Sequence, residues 1–360
     1  MDVNRRRLSE HMSEDLEKPL VSEIRVILFG VGAIGSEIAR LLLRKKGVKI
    51  VGAVDAAPDK IGKDLGDIIG LERKLGVPVL SSLDDLNVEA DIAIHTTTSF
   101  LKDAYPQIAA LIKRGLNVIS TCEELSYPYN VNEEIAKEID ESAGRRGVTV
   151  LGTGINPGFV MDTLVITLTA ACQEIRCIHA ERVIDAAKRR LPFQKKIGAG
   201  LRPEEFREKA AKGEIIGHVG LRESIAMIAS SLGWKLEEIR ENPAEPIISN
   251  EKVKSEFISV EPGYVAGLSQ KAYGIMSGEP KVTLIFKAYL GAREEYDSII
   301  IDGEPVVCGK ISPCIHGDKG TAAVVVNSIP RVISASPGLK TMKDLQVPSA
   351  ILGDLRSFLD

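Results

Sequence analysis

Residues 24–35 read Ile-Arg-Val-Ile-Leu-Phe-Gly-Val-Gly-Ala-Ile-Gly, a mostly apolar, β-branched run that meets three glycines without a break. Ile34, Ile38, Leu41 and Leu42 then recur at helical spacing, so the stretch predicts strand, tight turn and helix in immediate succession. In that setting each glycine has a steric task. Gly30 permits the turn, Gly32 lets a pyrophosphate approach the backbone, and Gly35 lets helix and strand pack closely. The first helical residues, Ala33 and Ile34, add N–H donors and the positive end of the helix dipole. A second strand, expected at Lys49–Val54, runs into Asp55, twenty residues past Gly35. A carboxylate there accepts hydrogen bonds from the adenosine ribose of a dinucleotide and repels a 2′-phosphate, which favours NAD. Lys60 complicates the choice: it is either a solvated surface lysine or a cation for a 2′-phosphate, which would admit NADP.

Outward from this segment the same alternation continues. Strands are expected at 91–95, 117–120 and 148–151, with helices at 102–113 and 133–142, the pattern of a parallel sheet covered on both faces. After Asn156-Pro157-Gly158 the texture changes. A helix near 162–172 gives way to long alternating segments such as 281–289 and 298–307, with Asp302-Gly303 as a hairpin signal. These features predict an α/β protein whose N-terminal Rossmann-type sheet is followed by a second, mixed α+β domain, interrupted by a charged, helix-rich insertion around 203–240. A helix is expected at 320–333, stopped by Ser336-Pro337-Gly338. The expected division is a charged tail at 1–22, a dinucleotide-binding domain at 23–156, a substrate and dimerisation domain at 157–318, and a C-terminal segment at 319–360.

Composition narrows the partners. A chain of 360 residues is long enough for two cores, and its net charge of −4 offers no electrostatic basis for binding nucleic acid or an anionic membrane. Small molecules are the expected ligands. The five cysteines are dispersed, lack a C-x-x-C pair and are odd in number, which fits a reducing cytoplasm. The start, residues 1–20, lacks an apolar core of signal-peptide length, and no later run approaches the length of a membrane span.

Candidate chemistry collects at the carboxyl ends of the expected strands. Thr96, Thr97 and Thr98 follow one of them and either contact the cofactor or cap the next helix. Thr121-Cys122-Glu123-Glu124-Leu125-Ser126-Tyr127-Pro128-Tyr129 follows another. A carboxylate beside a nicotinamide can stabilise an iminium or ammonium cation or take a proton, so Glu123 and Glu124 are the catalytic candidates; sequence does not choose between them. Tyr127 shares their loop. Cys122 has no neighbouring histidine to activate it and reads as packing. At the domain junction, Gly152-Thr153-Gly154-Ile155-Asn156-Pro157-Gly158-Phe159 suits a hinge, with Asn156 able to bond the nicotinamide amide or the substrate and Phe159 beside it. In the second domain Phe193-Gln194-Lys195-Lys196-Ile197-Gly198-Ala199-Gly200 and Gly217-His218-Val219-Gly220-Leu221 supply Gln194, Lys195 and His218 as substrate-binding candidates. His218 lacks the partners of a metal site, and no metal is expected.

Together, Gly30–Gly35, Thr121–Tyr129, Gly152–Phe159, Phe193–Gly200, Gly217–Leu221 and Asn327-Ser328-Ile329-Pro330 resemble the 2,4-diaminopentanoate dehydrogenase family, which includes the native amine dehydrogenases. The resemblance spans nearly all of the chain after the tail. It implies NAD(P)-dependent oxidative deamination of an amine, or the reverse reductive amination of a ketone with ammonia, on a dihydrodipicolinate-reductase-like fold. It implies an active-site glutamate within the Glu123-Glu124 pair, a last helix that returns to the cofactor domain with Asn327 near the nicotinamide end, and a homodimer. The substrate it implies is either an amino acid carrying a second amine or a small alkylamine. Two other readings stand beside it: an imine reductase of the dihydrodipicolinate-reductase type, which calls for a His-His pair that this sequence lacks, and a non-catalytic NAD-binding sensor.

Overall fold

The computed structural model describes residues 23–359, so the charged tail read at 1–22 lies outside them. β1 (Ile24–Phe29) leads through the glycine turn into α1 (Ala33–Leu42), followed by β2 (Val48–Val54), α2 (Leu65–Ile68), β3 (Val79–Leu80) and β4 (Ile92–His95). Next come α3 (Leu101–Lys113), β5 (Asn117–Ser120), α4 (Glu133–Arg146) and β6 (Thr149–Gly152). The strands pair in parallel, in the order β3-β2-β1-β4-β5-β6. All four residues of β4 and of β6 are buried, as a sheet covered on both faces requires. Pleating divides β1 between two cores: Val26 and Leu28 pack with Ile38 and Leu42 of α1, whereas Ile27 packs with Leu101, Ile108 and Leu111 of α3.

The chain then builds the second unit from α5 (Thr163–Thr169), β7 (Glu174–Asp185), α6 (Leu191–Lys196), α7 (Pro203–Ala211), α8 (Leu221–Ser231), β8 (Glu238–Glu241), β9 (Glu245–Ile248), β10 (Val253–Lys254) and β11 (Ser259–Val260). Three long strands and a shorter one complete it: β12 (Val265–Met276), β13 (Glu279–Tyr289), β14 (Tyr296–Glu304) and β15 (Val307–Ile311). The large sheet runs β15-β14-β7-β13-β12-β8, with β9 also on β12; β7 and β13 are parallel and every other pairing is antiparallel. Along β7, Ile178, Ala180, Arg182 and Ile184 turn inward, and Cys177, His179 and Glu181 occupy the opposite phase of the pleat.

Two sequence expectations change here. Asp302-Gly303 is not the hairpin turn, because both residues still pair with Cys177 and Ile175 of β7 across a bulge; the chain reverses afterwards, where Val307 meets Ile301. The region 203–240 is not simply a charged insertion. Within it, α8 buries Leu221, Ile225, Met227 and Ile228 and belongs to the core.

The last elements return to the first sheet. α9 (Gly317–Ser334) packs against α1, and β16 (Gly338–Lys340) adds a seventh parallel strand beside β6. The α/β architecture is therefore a Rossmann-type sheet plus a mixed second sheet, closed by a returning C-terminal helix. No helix among the described residues is long and apolar enough to cross a membrane.

Candidate active site

β1 and β4 are hydrogen-bonded neighbours although two strands and two helices separate them in sequence. Their carboxyl ends therefore open a crevice where the strand order switches, the place where open α/β sheets bind ligands. A cavity of about 480 Å³ lies there, bounded on one side by this sheet edge and on the other by the second sheet. A larger groove of about 760 Å³ shares none of its lining residues and involves Ile248, Lys287, Tyr289 and Tyr296.

The glycine turn fits a dinucleotide. Gly30 has φ of +98°, and a Cβ on it would sit 2.7 Å from the Thr96 carbonyl oxygen. A Cβ on Gly35 would lie 2.1 Å from the Gly30 oxygen, so strand and helix approach only because it is missing. At Gly32 the same test meets nothing within 4 Å, and Gly32, Ala33 and Ile34 face the cavity. That leaves free space beside first-turn N–H groups that have no partner inside the helix. Asp55 is tied to this turn: its Oδ2 accepts the Val31 N–H at 2.7 Å and its Oδ1 the Ala57 N–H at 2.9 Å. Lys60 is not a solvated lysine, since its Nζ stands 2.9 Å from Asp55 Oδ2.

Thr96, Thr97 and Thr98 also line the cavity. Thr96 Oγ1 donates to the Gly30 carbonyl at 2.8 Å, which locks the two loops together. Thr97 Oγ1 donates to Gln107 and lies 2.9 Å from His95 Nε2, while His95 Nδ1 lies 2.8 Å from Ser120 Oγ. Burial pushes the His95 pKa down to about 4, so this strut is a neutral imidazole.

The adjacent glutamates part company. Glu123 faces the cavity; burial holds its carboxyl above the usual carboxylate range, against the opposing pull of a Ser99 hydrogen bond and the charge of Lys196. Glu124 turns away. Its Oε2 accepts the Leu101 N–H at 2.7 Å and Asn132 Nδ2 at 3.4 Å, so it caps α3, whose own N-cap residue is Phe100 and supplies no side-chain bond. Cys122 is buried, and burial raises its thiol to about 12, which leaves no thiolate for nucleophilic attack.

The far wall is cationic and aromatic. Arg182, Arg189, Arg190, Lys196, Phe193, His218 and Phe286 line it. Arg182 is held by Asp297 at 2.5 Å, and Arg189 is held by Asp318 at 2.8 Å and lies over the Phe193 ring. Arg190 only grazes Asp318, at 3.9 Å, and Lys196 forms no ion pair among the described residues. His218 stacks on Phe286 with ring centres 4.5 Å apart. Burial, then Lys196 and Arg182, drive the His218 pKa down to about 3; its Nε2 is buried without a partner. Both amide atoms of Asn156, between β6 and α5, are also buried and unpartnered.

Comparison with known proteins places this geometry. Residues 159–360 match the family model of the 2,4-diaminopentanoate dehydrogenase C-terminal domain, and residues 24–140 match that of the dihydrodipicolinate reductase N-terminus. The 2,4-diaminopentanoate dehydrogenase of Acetoanaerobium sticklandii is 39% identical over 94% of this chain and 98% of its own length. The chain belongs to the 2,4-diaminopentanoate dehydrogenase family. It is an oxidoreductase of the class acting on CH–NH2 groups. An amine dehydrogenase of Streptomyces virginiae is 20% identical over 91% of this chain and 98% of its own. The solved amine dehydrogenase of Mycobacterium smegmatis superposes with a TM-score of 0.81 at 27% identity, covering 92% of this chain and 99% of that one.

Several residues expected in the site stand elsewhere. Gln194 is fully buried, donating to the Arg189 carbonyl at 2.7 Å and accepting from Ser255 at 2.7 Å, so it braces the α6 loop. Lys195 and Lys196 are both exposed, but only Lys196, three residues after Phe193 and on the same helix face, borders the cavity. Tyr127 packs edge-on against Tyr129, Phe159 packs into the core, and Asn327 Oδ1 accepts the Ile351 N–H at 3.1 Å. None of these three lines the cavity. Sequence reasoning missed Arg182, Arg189, Arg190 and Phe286. Arg182 carried a signal, as a charge at the inward phase of an alternating strand. Among the described residues no three His, Cys, Asp or Glu side chains cluster as metal ligands.

Proposed function

We propose that this dehydrogenase oxidatively deaminates a small amino acid carrying a second amine, of the 2,4-diaminopentanoate kind, and runs the reverse reductive amination of the corresponding ketone with ammonia. One observation carries the reading: a desolvated acid, Glu123, borders the same open cleft as a cation free of ion pairs, Lys196, beside the glycine turn, whereas Asp318 in that cleft is taken up by Arg189. A simple alkylamine needs no such cation. The name of the relative at 39% identity supports the same substrate class.

NAD(P), when bound, supplies the hydride acceptor or donor. Gly30, Gly32 and Gly35 with the first turn at Ala33 and Ile34 seat its pyrophosphate, Asp55 takes the ribose, and Thr96, Thr97 and Thr98 border it. Asn156 offers an unpartnered amide to the nicotinamide end or the substrate. Glu123 stands by the reacting nitrogen: as the amine carbon is oxidised to an iminium, its carboxylate balances the positive charge, and it takes the proton of the water that attacks that carbon before ammonia leaves. Lys196, with Arg190, holds the substrate carboxylate. His218 stays neutral and offers one hydrogen bond without adding charge. Binding both reactants between the two sheets supplies orientation.

The test is oxidation of NADH and NADPH at high ammonium with 2-amino-4-oxopentanoate and a panel of simple ketones, against controls without ammonium. Ammonium-dependent turnover that favours the amino-acid ketone is the expected result. Turnover without ammonium would point to an imine or alcohol reductase, and silence with tight dinucleotide binding to a sensor. The reading also makes the active molecule a homodimer through the face of the second sheet that carries the groove of Lys287, Tyr289 and Tyr296. Sedimentation as a monomer at assay concentration would remove that part.

A further inference from the structure

The Asp55–Lys60 pair carries an inference that rests on the dinucleotide reading above and goes beyond it. Asp55 is fixed on three sides, by the Val31 N–H, the Ala57 N–H and Lys60 Nζ. Burial pushes its carboxyl up, but Lys60 and the two backbone donors outweigh this and keep it ionised. Lys60 reaches it from a tight turn in which the Lys60 N–H donates to the Ala57 carbonyl at 3.0 Å, and the turn is anchored to β3 by the bond from Gly62 N–H to Val79 O at 2.8 Å. The backbone of Lys60 is thus fixed, whereas its side chain has four rotatable bonds and is 24% exposed, enough to swing off the carboxylate toward solvent. The other charges of this turn and its neighbours are engaged elsewhere or point outward. Asp64 accepts four backbone N–H groups of 66–77, Arg40 is bound to the Ile69 carbonyl, and Asp59 and Lys63 are exposed.

A bare carboxylate at the ribose position accepts the 2′-hydroxyl and repels a 2′-phosphate. Here the carboxylate arrives already neutralised. A ribose diol can use the acceptor sites that remain on Asp55, and a phosphate can draw off the ammonium and leave Asp55 to its two backbone donors. We propose that Lys60 is the specificity-determining residue of the adenosine end, a movable counter-ion that lets one site take both the 2′-phosphorylated and the unphosphorylated dinucleotide.

The test uses the full chain and measures NADH and NADPH binding directly by calorimetry, in wild type, Lys60→Ala and Lys60→Arg, with thermal unfolding as a check on folding. Wild type is expected to bind both dinucleotides with affinities within about tenfold. Lys60→Ala should weaken NADPH by about tenfold or more and leave NADH within about threefold or tighter, as loss of one charge-assisted contact to phosphate requires. Lys60→Arg should restore NADPH. Equal weakening of both by Lys60→Ala, an unchanged ratio, or a wild type that rejects NADPH would overturn the assignment while leaving the dinucleotide site in place. A folded wild type that binds neither would overturn the site itself and this inference with it.

Discussion

The two walls of the cleft are made differently. The wall on the first sheet is local and largely backbone: a strand, three glycines and the start of a helix, joined to Asp55 and Thr96 by short bonds. The wall on the second sheet is assembled from β7, β13, α6 and the His218 loop, which meet only after folding. One wall is specified by where side chains are absent, the other by which charges are left over once their neighbours have been paired. The first suits a ligand of fixed shape, the second a substrate recognised by charge.

The sharpest way to break that comparison lies at the seam, where Glu123 and Glu124 are neighbours with opposite surroundings. Glu123→Gln keeps the shape and removes the proton acceptor, so kcat should fall by about two to four orders of magnitude, with dinucleotide binding preserved. The pH dependence follows from the direction of the shift. Because burial holds Glu123 above the usual carboxylate range, it is protonated at pH values where an ordinary glutamate is already charged. Amine oxidation should therefore lose kcat on acidification at a higher pH than an ordinary carboxylate would give, and Glu123→Gln should lack that limb. Glu124→Gln should behave in the opposite way: kcat within a few-fold of wild type and a melting temperature lower by a few degrees, the effect of weakening a cap worth roughly 1 kcal/mol. Rate profiles and thermal melts of the two variants decide it, and equal losses of kcat in both would dissolve the distinction.

The same contrast explains what was legible in the sequence. The Rossmann half was readable because its signals are short-range: the strand at 117–120, the helix start at Glu133 and the roles of Gly30, Gly32 and Gly35 follow from neighbours within a few residues. The short strands β3 and β16 were not anticipated, since two or three residues hold no periodicity and only the sheet edge beside them makes them strands. Asp302-Gly303 misled because turn chemistry was read without its second neighbour; β7 holds that dipeptide in the ladder on the edge away from the hairpin. In the pocket, residue types were a poor guide because Gln194 and Glu124 are polar groups spent on backbone partners, which no local pattern distinguishes from groups left free. The helical period of α6 would have separated Lys196 from Lys195.

Lys196 gives the smaller effect that sharpens the second wall. It sits on the last turn of a six-residue helix, faces Glu123 and His218, and depresses the pKa of both. Lys196→Met retains the aliphatic stem and removes the charge. If the ammonium holds the substrate carboxylate, KM for the amino-acid substrate should rise by about ten- to a hundredfold, the cost of one hydrogen bond between charged groups, while kcat stays within a few-fold. A simple alkylamine, having no carboxylate, should show no such rise, so the ratio of the two specificities isolates the interaction from any general disturbance of the loop. Lys195→Met, one residue away and off the cavity, should leave both unchanged. The charge removed from position 196 also stood against the ionised Glu123, so the acid limb of kcat should move to higher pH in Lys196→Met. A variant that raised KM for both substrates equally, with no movement of that limb, would make Lys196 a structural residue of the wall and return the carboxylate to Arg190.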